Sequence, residues 1–345
     1  MSTLRARPRL SRLVMGAGLG LIGALAVLVA AAVLSPWPSA LAIRALFARG
    51  GRATNAALMA RVPGTVTRTP DIVYSPGDPD ALLDVYVPTA TVGTAALLPT
   101  VVWMHGGGFV GGSKDELVGY LTILAAEGCT VVSVDYTRAP EATYPTPVRQ
   151  VMAALAYVAE HAEELHVDLD QVVLAGDSAG AQLAAQTANI LVDPAYAAAV
   201  GIEPTLAAAG VVGTVLYCGA YDLSLSQGSS RAGAWFVATV LRAYAGTRRW
   251  RDDDTFGHVS LVEHVTSRFP PSFVSAGNGD PLLRHSQSLA ARLRDAGVAV
   301  DTLFFDADRS PALPHEYQFD LATEAGALSY ARMTAFLRAR TSLQR

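Results

Sequence analysis

Along residues 66–340, short runs of apolar residues alternate with longer segments in which apolar residues recur at helical spacing. The apolar runs predict strands at 100–104, 130–135, 172–175, 211–218, 272–276 and 300–305. The segments between them predict helices at 117–127, 147–161, 181–190, 287–295 and 323–338. Unbroken apolar strands separated by helices are typical of a mostly parallel sheet covered by helices on both faces. The pattern therefore predicts an α/β fold.

Ahead of this alternation, two segments have the period of half-buried strands. Residues 66–74 and 82–87 alternate apolar and polar positions, and the turn-rich sequence SPGDPD separates them. We expect these segments to form an antiparallel hairpin at the edge of the sheet.

Residues 223–265 lie between two predicted strands and are too long for a simple connection. They contain aromatic and aliphatic residues at helical spacing, namely Trp235, Phe236, Val240 and Tyr244. This insertion is therefore predicted to form a helical cap.

The N-terminal region is the most apolar part of the chain. Residues 13–34 carry no charge and are long enough to cross a bilayer as a helix. Trp37 follows as an interfacial anchor, and four arginines precede the run: Arg5, Arg7, Arg9 and Arg12. We expect an uncleaved membrane anchor with the rest of the chain outside the cytoplasm. The alternative is a signal peptide cleaved after Ala42, which leaves a secreted protein.

Residues 39–61 mix apolar side chains with basic positions that include Arg44, Arg49 and Arg52. The pattern fits an amphipathic helix on a membrane surface or a helix that covers the following domain, and the sequence leaves both open. Gly50 and Gly51 are expected to interrupt either helix.

Composition narrows the function classes. Hydrophobic residues make up 51% of the 345 positions and charged residues 16%, which suits a large buried core. The net charge of −4 and the absence of a basic stripe argue against a nucleic-acid partner. Cys129 and Cys218 are too few for a disulfide framework or a metal-site spacing, and both lie beside apolar runs. We therefore expect both cysteines to be small buried hydrophobes, and no metal or cofactor site.

The strand at 172–175 leads into Gly176-Asp177-Ser178-Ala179-Gly180, and an alanine-rich helix follows. The pattern G-x-S-x-G between a strand and a helix forces a tight turn that exposes the serine at a helix N-terminus. This context predicts that Ser178 is a nucleophile.

A serine nucleophile needs a base that a third group holds in place. His315 lies in a loop beyond the last core strand and is the best base for the chain order serine, acid, histidine. Asp280, in GNGDP after the strand at 272–276, is the preferred acid. Asp222, after the preceding strand, is the second candidate.

The sequence HGGGF at 105–109 follows the first apolar strand. Consecutive glycines allow backbone N–H groups to converge on one point, and Ala179 offers another N–H at the serine turn. No lysine-serine pair ends the glycine run, so a phosphate-binding loop is disfavoured.

Together, HGGGF, GDSAG at 176–180, GNGDPLL at 277–283 and HEYQ at 315–318 resemble the hormone-sensitive-lipase-like family of α/β hydrolases. The resemblance covers about residues 66–340. It implies carboxylester hydrolysis without a cofactor, and an oxyanion hole formed by Gly107, Gly108 and Ala179. It departs from the family at two places. The arginine of YTRAPE at 136–141 is displaced by one position, and Arg284 stands where a second acid is common.

The resulting domain division has three parts: 1–36 as a membrane anchor or signal segment, 37–65 as a helical linker or cap segment, and 66–345 as an α/β-hydrolase catalytic domain with the cap insertion 223–265. We expect a serine esterase or lipase that prefers short to medium acyl esters. An amidase or peptidase on the same triad and a ligand-binding receptor are the alternatives.

Overall fold

The computed structural model describes residues 34–228 and 230–343, together with Gly23, Val27 and Ala30. In this part of the chain, eight strands form one sheet in the order β1-β2-β4-β3-β5-β6-β7-β8. The strands are β1 (Val66–Val73), β2 (Leu82–Pro88), β3 (Leu98–Met104), β4 (Thr130–Val134), β5 (Val167–Asp177), β6 (Val211–Tyr217), β7 (Ser272–Ala276) and β8 (Val300–Phe304). The β1–β2 and β2–β4 pairs are antiparallel, and the remaining pairs are parallel. The predicted mostly parallel sheet and its edge hairpin are confirmed.

Helices cover both faces of this sheet. The α-helices of the described residues are α1 (Trp37–Met59), α2 (Val118–Ala125), α3 (Thr146–Glu160), α4 (Ala179–Val192), α5 (Pro194–Val200), α6 (Arg231–Ala245), α7 (Asp254–Gly257), α8 (Leu283–Asp295) and α9 (Glu324–Arg340). Successive side chains of β3 point to opposite faces. Val102 packs in a core with residues of α3, α4 and α8, whereas Trp103 packs in a second core with residues of α2 and α9.

Helix α1 runs without a break through Gly50 and Gly51, so the expected interruption is wrong. Tertiary packing on the domain stabilises the helix through this point. Gly51 itself lies against Glu116, where a Cβ atom would overlap the carboxylate. At this position glycine permits a close approach and does not end the helix.

Contacts of Arg44 hold α1 on the catalytic domain. Its guanidinium donates to the Val110 carbonyl at 2.6 Å and the Ala139 carbonyl at 2.9 Å, and it forms an ion pair with Glu141. In the structure, α1 therefore covers the domain. This is one of the two alternatives that the sequence left open.

The predicted cap insertion 223–265 contains α6 and α7. Tyr244 stacks on Phe109 with ring centroids 3.9 Å apart, and Phe236 meets Phe47 of α1 edge to face at 5.8 Å. Trp235 is 52% exposed and faces away from the core. Helices α1 and α6 therefore form one cap from two separate parts of the chain.

The transmembrane helix predicted at 13–34 lies almost entirely outside the described residues. Among the residues that are described, no helix is long and apolar enough to cross a membrane.

The only lysine of the sequence, Lys114, is buried beneath the β1–β2 hairpin. Its Nζ lies 2.6 Å from Asp71 Oδ1 and 3.0 Å from Asp84 Oδ1. Asp84 is fully buried and also pairs with Arg68. Burial alone would lower the pKa of Lys114, but the hydrogen bonds with Asp71 and Asp84 raise that pKa overall. The ammonium therefore stays charged and ties the hairpin to the loop that follows HGGGF.

Lys114→Ala would remove the ammonium and leave the buried Asp84 carboxylate with Arg68 as its remaining ion-pair partner. We expect the free energy of unfolding to fall by about 3 kcal/mol, because an incompletely paired buried charge is costly. Urea denaturation followed by circular dichroism measures the change. The control is Arg332→Ala, which breaks an exposed pair with Asp301 and should cost under about 1 kcal/mol. Equal losses for the two variants would contradict the prediction.

Candidate active site

Ser178 occupies the sharp turn between β5 and α4. Its φ of 52° and ψ of −119° lie in a strained region for a residue with a side chain. Gly176 packs against the Gly180 backbone, and Gly180 packs against the Met104 carbonyl so closely that a Cβ atom would overlap the oxygen. These approaches explain both glycines of the motif and hold the strained turn in place.

The structure brings Ser178, His315 and Asp280 together. His315 Nε2 lies 2.9 Å from Ser178 Oγ, and His315 Nδ1 lies 2.9 Å from Asp280 Oδ2. Asp280 follows β7 and His315 lies in the loop after β8, so all three residues meet at the carboxyl ends of parallel strands. With this geometry the serine hydroxyl donates to Nε2 while the Nδ1–H donates to the carboxylate.

The second candidate acid, Asp222, makes its hydrogen bonds outside the Ser178–His315 pair. Its Oδ1 accepts from the backbone N–H of Ser224 at 3.0 Å, and its Oδ2 accepts from the Ser288 hydroxyl at 2.9 Å. It thereby begins the 3-10 turn Leu223–Leu225. The preferred acid, Asp280, is the one that contacts His315.

The loop Gly106–Gly111 lies beside the serine. Gly107 and Gly108 have φ values of 119° and 59°, which glycine adopts readily. Their N–H groups donate no hydrogen bond to another described residue. The N–H of Ala179, the first residue of α4, likewise has no acceptor within its helix. These three donors are available to a negatively charged oxygen near Ser178.

Asp177 connects this loop to the serine turn, a role that the sequence reasoning missed. Its Oδ2 accepts from the Gly106 N–H and its Oδ1 accepts from Trp103 Nε1, both at 2.8 Å. Burial and the nearby Glu316 raise the pKa of Asp177, while the two donors oppose that rise. The available sequence signal was the position of Asp177, a charged residue at the end of an apolar strand.

His105 supports the same loop from below. Its Nδ1 donates to the Gly106 carbonyl at 2.7 Å, and its ring stacks on Tyr136 with centroids 4.3 Å apart. Nε2 lies 3.1 Å from Asp135 Oδ1. Burial alone would raise the pKa of Asp135, but His105 and the backbone N–H of Lys114 lower it overall.

Cys218 lies beside the triad. Its sulfur and donor atoms of Asp280 and His315 all lie within 4.8 Å of one another, a spacing that a metal ion accepts. Burial raises the pKa of Cys218 to about 11, so the thiol is protonated at neutral pH and is a poor ligand. The nitrogen and oxygen atoms are already hydrogen-bonded within the triad, so this donor set fits proton transfer better than metal binding.

A cavity of about 960 Å³ opens above Ser178. Helices α1 and α6 supply its apolar wall, which includes Phe47, Phe236 and Val240. The space is large enough for a small organic substrate, and most of its lining is apolar.

The amino-acid sequence is similar to those of known proteins. A family model described as the alpha/beta hydrolase fold matches residues 101–317. Esterase LipQ of Mycobacterium tuberculosis is 31% identical over 250 residues, which are 69% of this chain and 56% of LipQ. An acetyl esterase of Salmonella typhi is 30% identical over 241 residues, which are 68% of this chain and 69% of that protein. The chain thus spans little more than half of LipQ.

Solved structures show the same architecture. Esterase B from Lactobacillus rhamnosis superposes with a TM-score of 0.74 at 24% identity, covering 88% of this chain and 95% of the other. A hyperthermophilic esterase from the archaeon Pyrobaculum calidifontis gives a TM-score of 0.69 at 25% identity, covering 87% and 91%. These similarities support the fold.

The two cysteine thiols should be unreactive in the native protein. Both are buried, and burial raises the pKa of Cys129 to about 12 and that of Cys218 to about 11. At pH 7 we expect native protein to react with DTNB far more slowly than urea-unfolded protein, because the thiolate is the attacking species. A Cys129→Ser variant isolates Cys218. Rapid stoichiometric labelling of that native variant would show an accessible, ionised thiol beside His315.

Proposed function

We propose that this chain, which belongs to the hormone-sensitive-lipase-like family of α/β hydrolases and is a carboxylic ester hydrolase, cleaves its substrates with Ser178, His315 and Asp280. The observation that carries the proposal is the pair of 2.9 Å contacts that His315 makes, one with Ser178 Oγ and one with Asp280 Oδ2. A serine, a base and an orienting acid in this geometry are the components of nucleophilic acyl transfer.

In the first half-reaction, Ser178 Oγ attacks the ester carbonyl while His315 Nε2 takes the hydroxyl proton. The carbonyl oxygen becomes an oxyanion, which the N–H groups of Gly107, Gly108 and Ala179 stabilise. Collapse of the tetrahedral intermediate breaks the C–O bond to the alcohol, and His315 returns the proton to the leaving oxygen. The products are a free alcohol and an acyl group on Ser178.

In the second half-reaction, water replaces the alcohol. His315 removes a proton from water as the water oxygen attacks the acyl carbonyl, and the same donors stabilise the second oxyanion. Return of the proton to Ser178 Oγ releases the carboxylic acid. Asp280 accepts the Nδ1–H of His315 and so holds the imidazole in the orientation and tautomer that the base needs.

The surroundings of His315 favour its charged form. Burial alone would lower the pKa of His315, but the hydrogen bond with Asp280 and the charge of Glu316 are among the contacts that raise that pKa overall. The imidazolium that forms when Ser178 loses its proton is therefore stabilised. Because the pKa of His315 is raised, the imidazole of the free enzyme is neutral, and able to act as a base, only at a pH above that raised value.

Ser178→Ala should lower kcat for p-nitrophenyl butyrate by three or more decades, because the variant lacks the nucleophile. Steady-state kinetics of the purified protein measure the change, and thermal unfolding verifies that the variant remains folded. A folded variant with near-normal turnover would refute the proposed nucleophile.

The choice of acid has a matched control within the same chain. Asp280→Asn should lower kcat far more than Asp222→Asn, since only Asp280 contacts His315 Nδ1. Asparagine keeps the shape of the side chain but favours the wrong histidine tautomer. The reverse ranking would assign the acid to Asp222.

We further propose a preference for short to medium acyl esters. Support comes from the cap, where Val240, Phe236 and Phe47 lie 3.4, 3.5 and 3.6 Å from a Cβ built on Gly108. These apolar side chains close over the loop that holds the oxyanion donors. An apolar wall attracts an acyl chain, and its closeness limits the length that fits.

Catalytic efficiency should rise with acyl length until the cavity is full and should then fall. Each added methylene contributes up to about 0.8 kcal/mol while it is buried, and nothing further once the chain leaves the cavity. We expect the maximum at short to medium chains. The measurement is kcat/KM for p-nitrophenyl esters from acetate to palmitate, with Ser178→Ala as the blank. A steady rise through palmitate, together with hydrolysis of emulsified triolein, would identify a true lipase instead.

We also propose that residues 13–34 anchor the enzyme in a membrane, with the catalytic domain on the extracytoplasmic side. Support comes from the uncharged run and the arginines that precede it. The alternative cleavage after Ala42 would cut α1 within its first two turns. It would separate Ala40 from Ile43, although both side chains are buried.

Membrane fractions washed with alkaline carbonate should retain the full-length protein, because the wash strips peripheral proteins but leaves a spanning helix in place. N-terminal sequencing of the mature protein is the accompanying measurement. A carbonate-soluble product that begins at Ile43 would instead identify a cleaved signal peptide and a secreted enzyme.

A further inference from the structure

One carboxylate beside the nucleophile takes no part in the proposed triad. Glu316 follows His315 directly, and its Oε1 lies 3.7 Å from His315 Nε2, the nitrogen that also contacts Ser178. Its side chain lines the cavity and is 36% exposed. No lysine or arginine among the described residues forms an ion pair with it.

The backbone at this position does not explain the glutamate. Glu316 has a φ of 60°, a left-handed conformation that costs less for glycine or asparagine than for a longer side chain. The position therefore carries a strained residue whose charged end reaches the catalytic cavity. A functional use of that charge accounts for the cost.

The rest of the cavity lining does not neutralise Glu316. The lining residues include no lysine and no arginine, but do include the carboxyl groups of Glu116, Asp177, Glu316 and Asp320. Asp177 is satisfied by its two N–H donors. Burial raises the pKa of Glu116, while His105, Arg52 and Arg138 oppose the rise. Burial also lowers the pKa of His285, so this ring adds no positive charge at neutral pH.

Aromatic rings line the same cavity as Glu316. Phe47 and Phe236 pack edge to face, and both approach the Cβ direction of Gly108. Glu316 Oε1 lies 3.0 Å from a Cβ built on Gly106, two residues earlier in that loop. Aromatic rings together with a carboxylate that pairs with no lysine or arginine can recognise an ammonium ion.

We infer that Glu316 is a specificity-determining residue that favours esters carrying an ammonium group close to the scissile bond. The inference rests on the proposed function of Ser178 and names a substrate class for that site. Attraction between the carboxylate and the ammonium group lowers the free energy of the bound cationic ester, and like-charge repulsion disfavours anionic esters. The bond that breaks and the proton transfers remain those of ester hydrolysis.

The test compares two esters that differ in charge and match in shape. Choline butyrate carries a quaternary nitrogen where 3,3-dimethylbutyl butyrate carries a quaternary carbon. We expect wild-type kcat/KM to be about tenfold higher for the choline ester, a ratio consistent with a partly screened charge pair. Hydrolysis is followed by titration of the released butyric acid.

Glu316→Gln should bring the ratio of the two kcat/KM values close to one. The ratio cancels any effect of the substitution on His315, because both esters use the same base. Glu316→Lys should reverse the preference. Glu163→Gln removes an equal charge from an exposed position outside the cavity lining and should keep the wild-type ratio. Thermal unfolding verifies that each variant is folded.

The outcomes separate this inference from the proposed function. Hydrolysis of p-nitrophenyl butyrate with a wild-type ratio near one, or an unchanged ratio in folded Glu316→Gln, overturns the role of Glu316 alone. A folded wild-type protein that hydrolyses none of the three butyrates overturns the proposed function, and this inference with it.

Discussion

The contact between Gly180 and the Met104 carbonyl is the constraint on which the catalytic region depends. It brings the first turn of α4 against the end of β3, so the chain must reverse within five residues. Ser178 absorbs the strain with its positive φ. Asp177, the residue before it, then reaches Gly106 and Trp103 on the neighbouring strand end. One short motif thus orients the serine and ties it to the loop that carries the proposed oxyanion donors Gly107 and Gly108.

The positions of the proposed acid and base depend on a second set of contacts, made between loops. The Asn278 side chain accepts from the Leu313 N–H at 2.8 Å and donates to the Arg309 carbonyl at 2.9 Å. The Gly279 N–H adds a bond to the Leu313 carbonyl at 2.9 Å. These bonds join the loop after β7 to the loop after β8, and so hold Asp280 and His315 at hydrogen-bonding distance. Preorganisation of this kind is what lets a serine hydroxyl act as a nucleophile.

The cap gives the cavity an apolar wall, whereas the residues beneath it, around Ser178 and His315, are polar. Helices α1 and α6 come from opposite sides of the HGGGF and GDSAG motifs in the sequence and meet through Phe47 and Phe236. Their apolar surface favours acyl chains, whereas Glu316 adds a negative charge next to the reacting atoms. A substrate that satisfies both surfaces combines an apolar part with a cationic part. The reaction type and the substrate preference therefore depend on different elements of the fold.

Local sequence predicted most of the strands and helices and the candidate catalytic residues. The alternation of apolar runs and helical segments was sufficient to predict the parallel sheet and the edge hairpin, because side-chain period and secondary structure are linked within a few residues. The glycines around Ser178 and in 106–108 indicated tight turns for the same local reason.

The choice between Asp280 and Asp222 could not be made from local sequence alone, because both aspartates follow a strand. Sequence context favoured Asp280, but it contains no information about the distance from either carboxylate to His315. Only the tertiary structure decided the distance, since it depends on bonds between loops that are far apart in sequence. The continuity of the helix through Gly50 and Gly51 was likewise decided by tertiary structure, because packing against the domain, including the approach of Gly51 to Glu116, involves residues distant in sequence. The charge that Glu316 places beside His315 likewise results from a backbone conformation and a cavity wall that the folded chain creates.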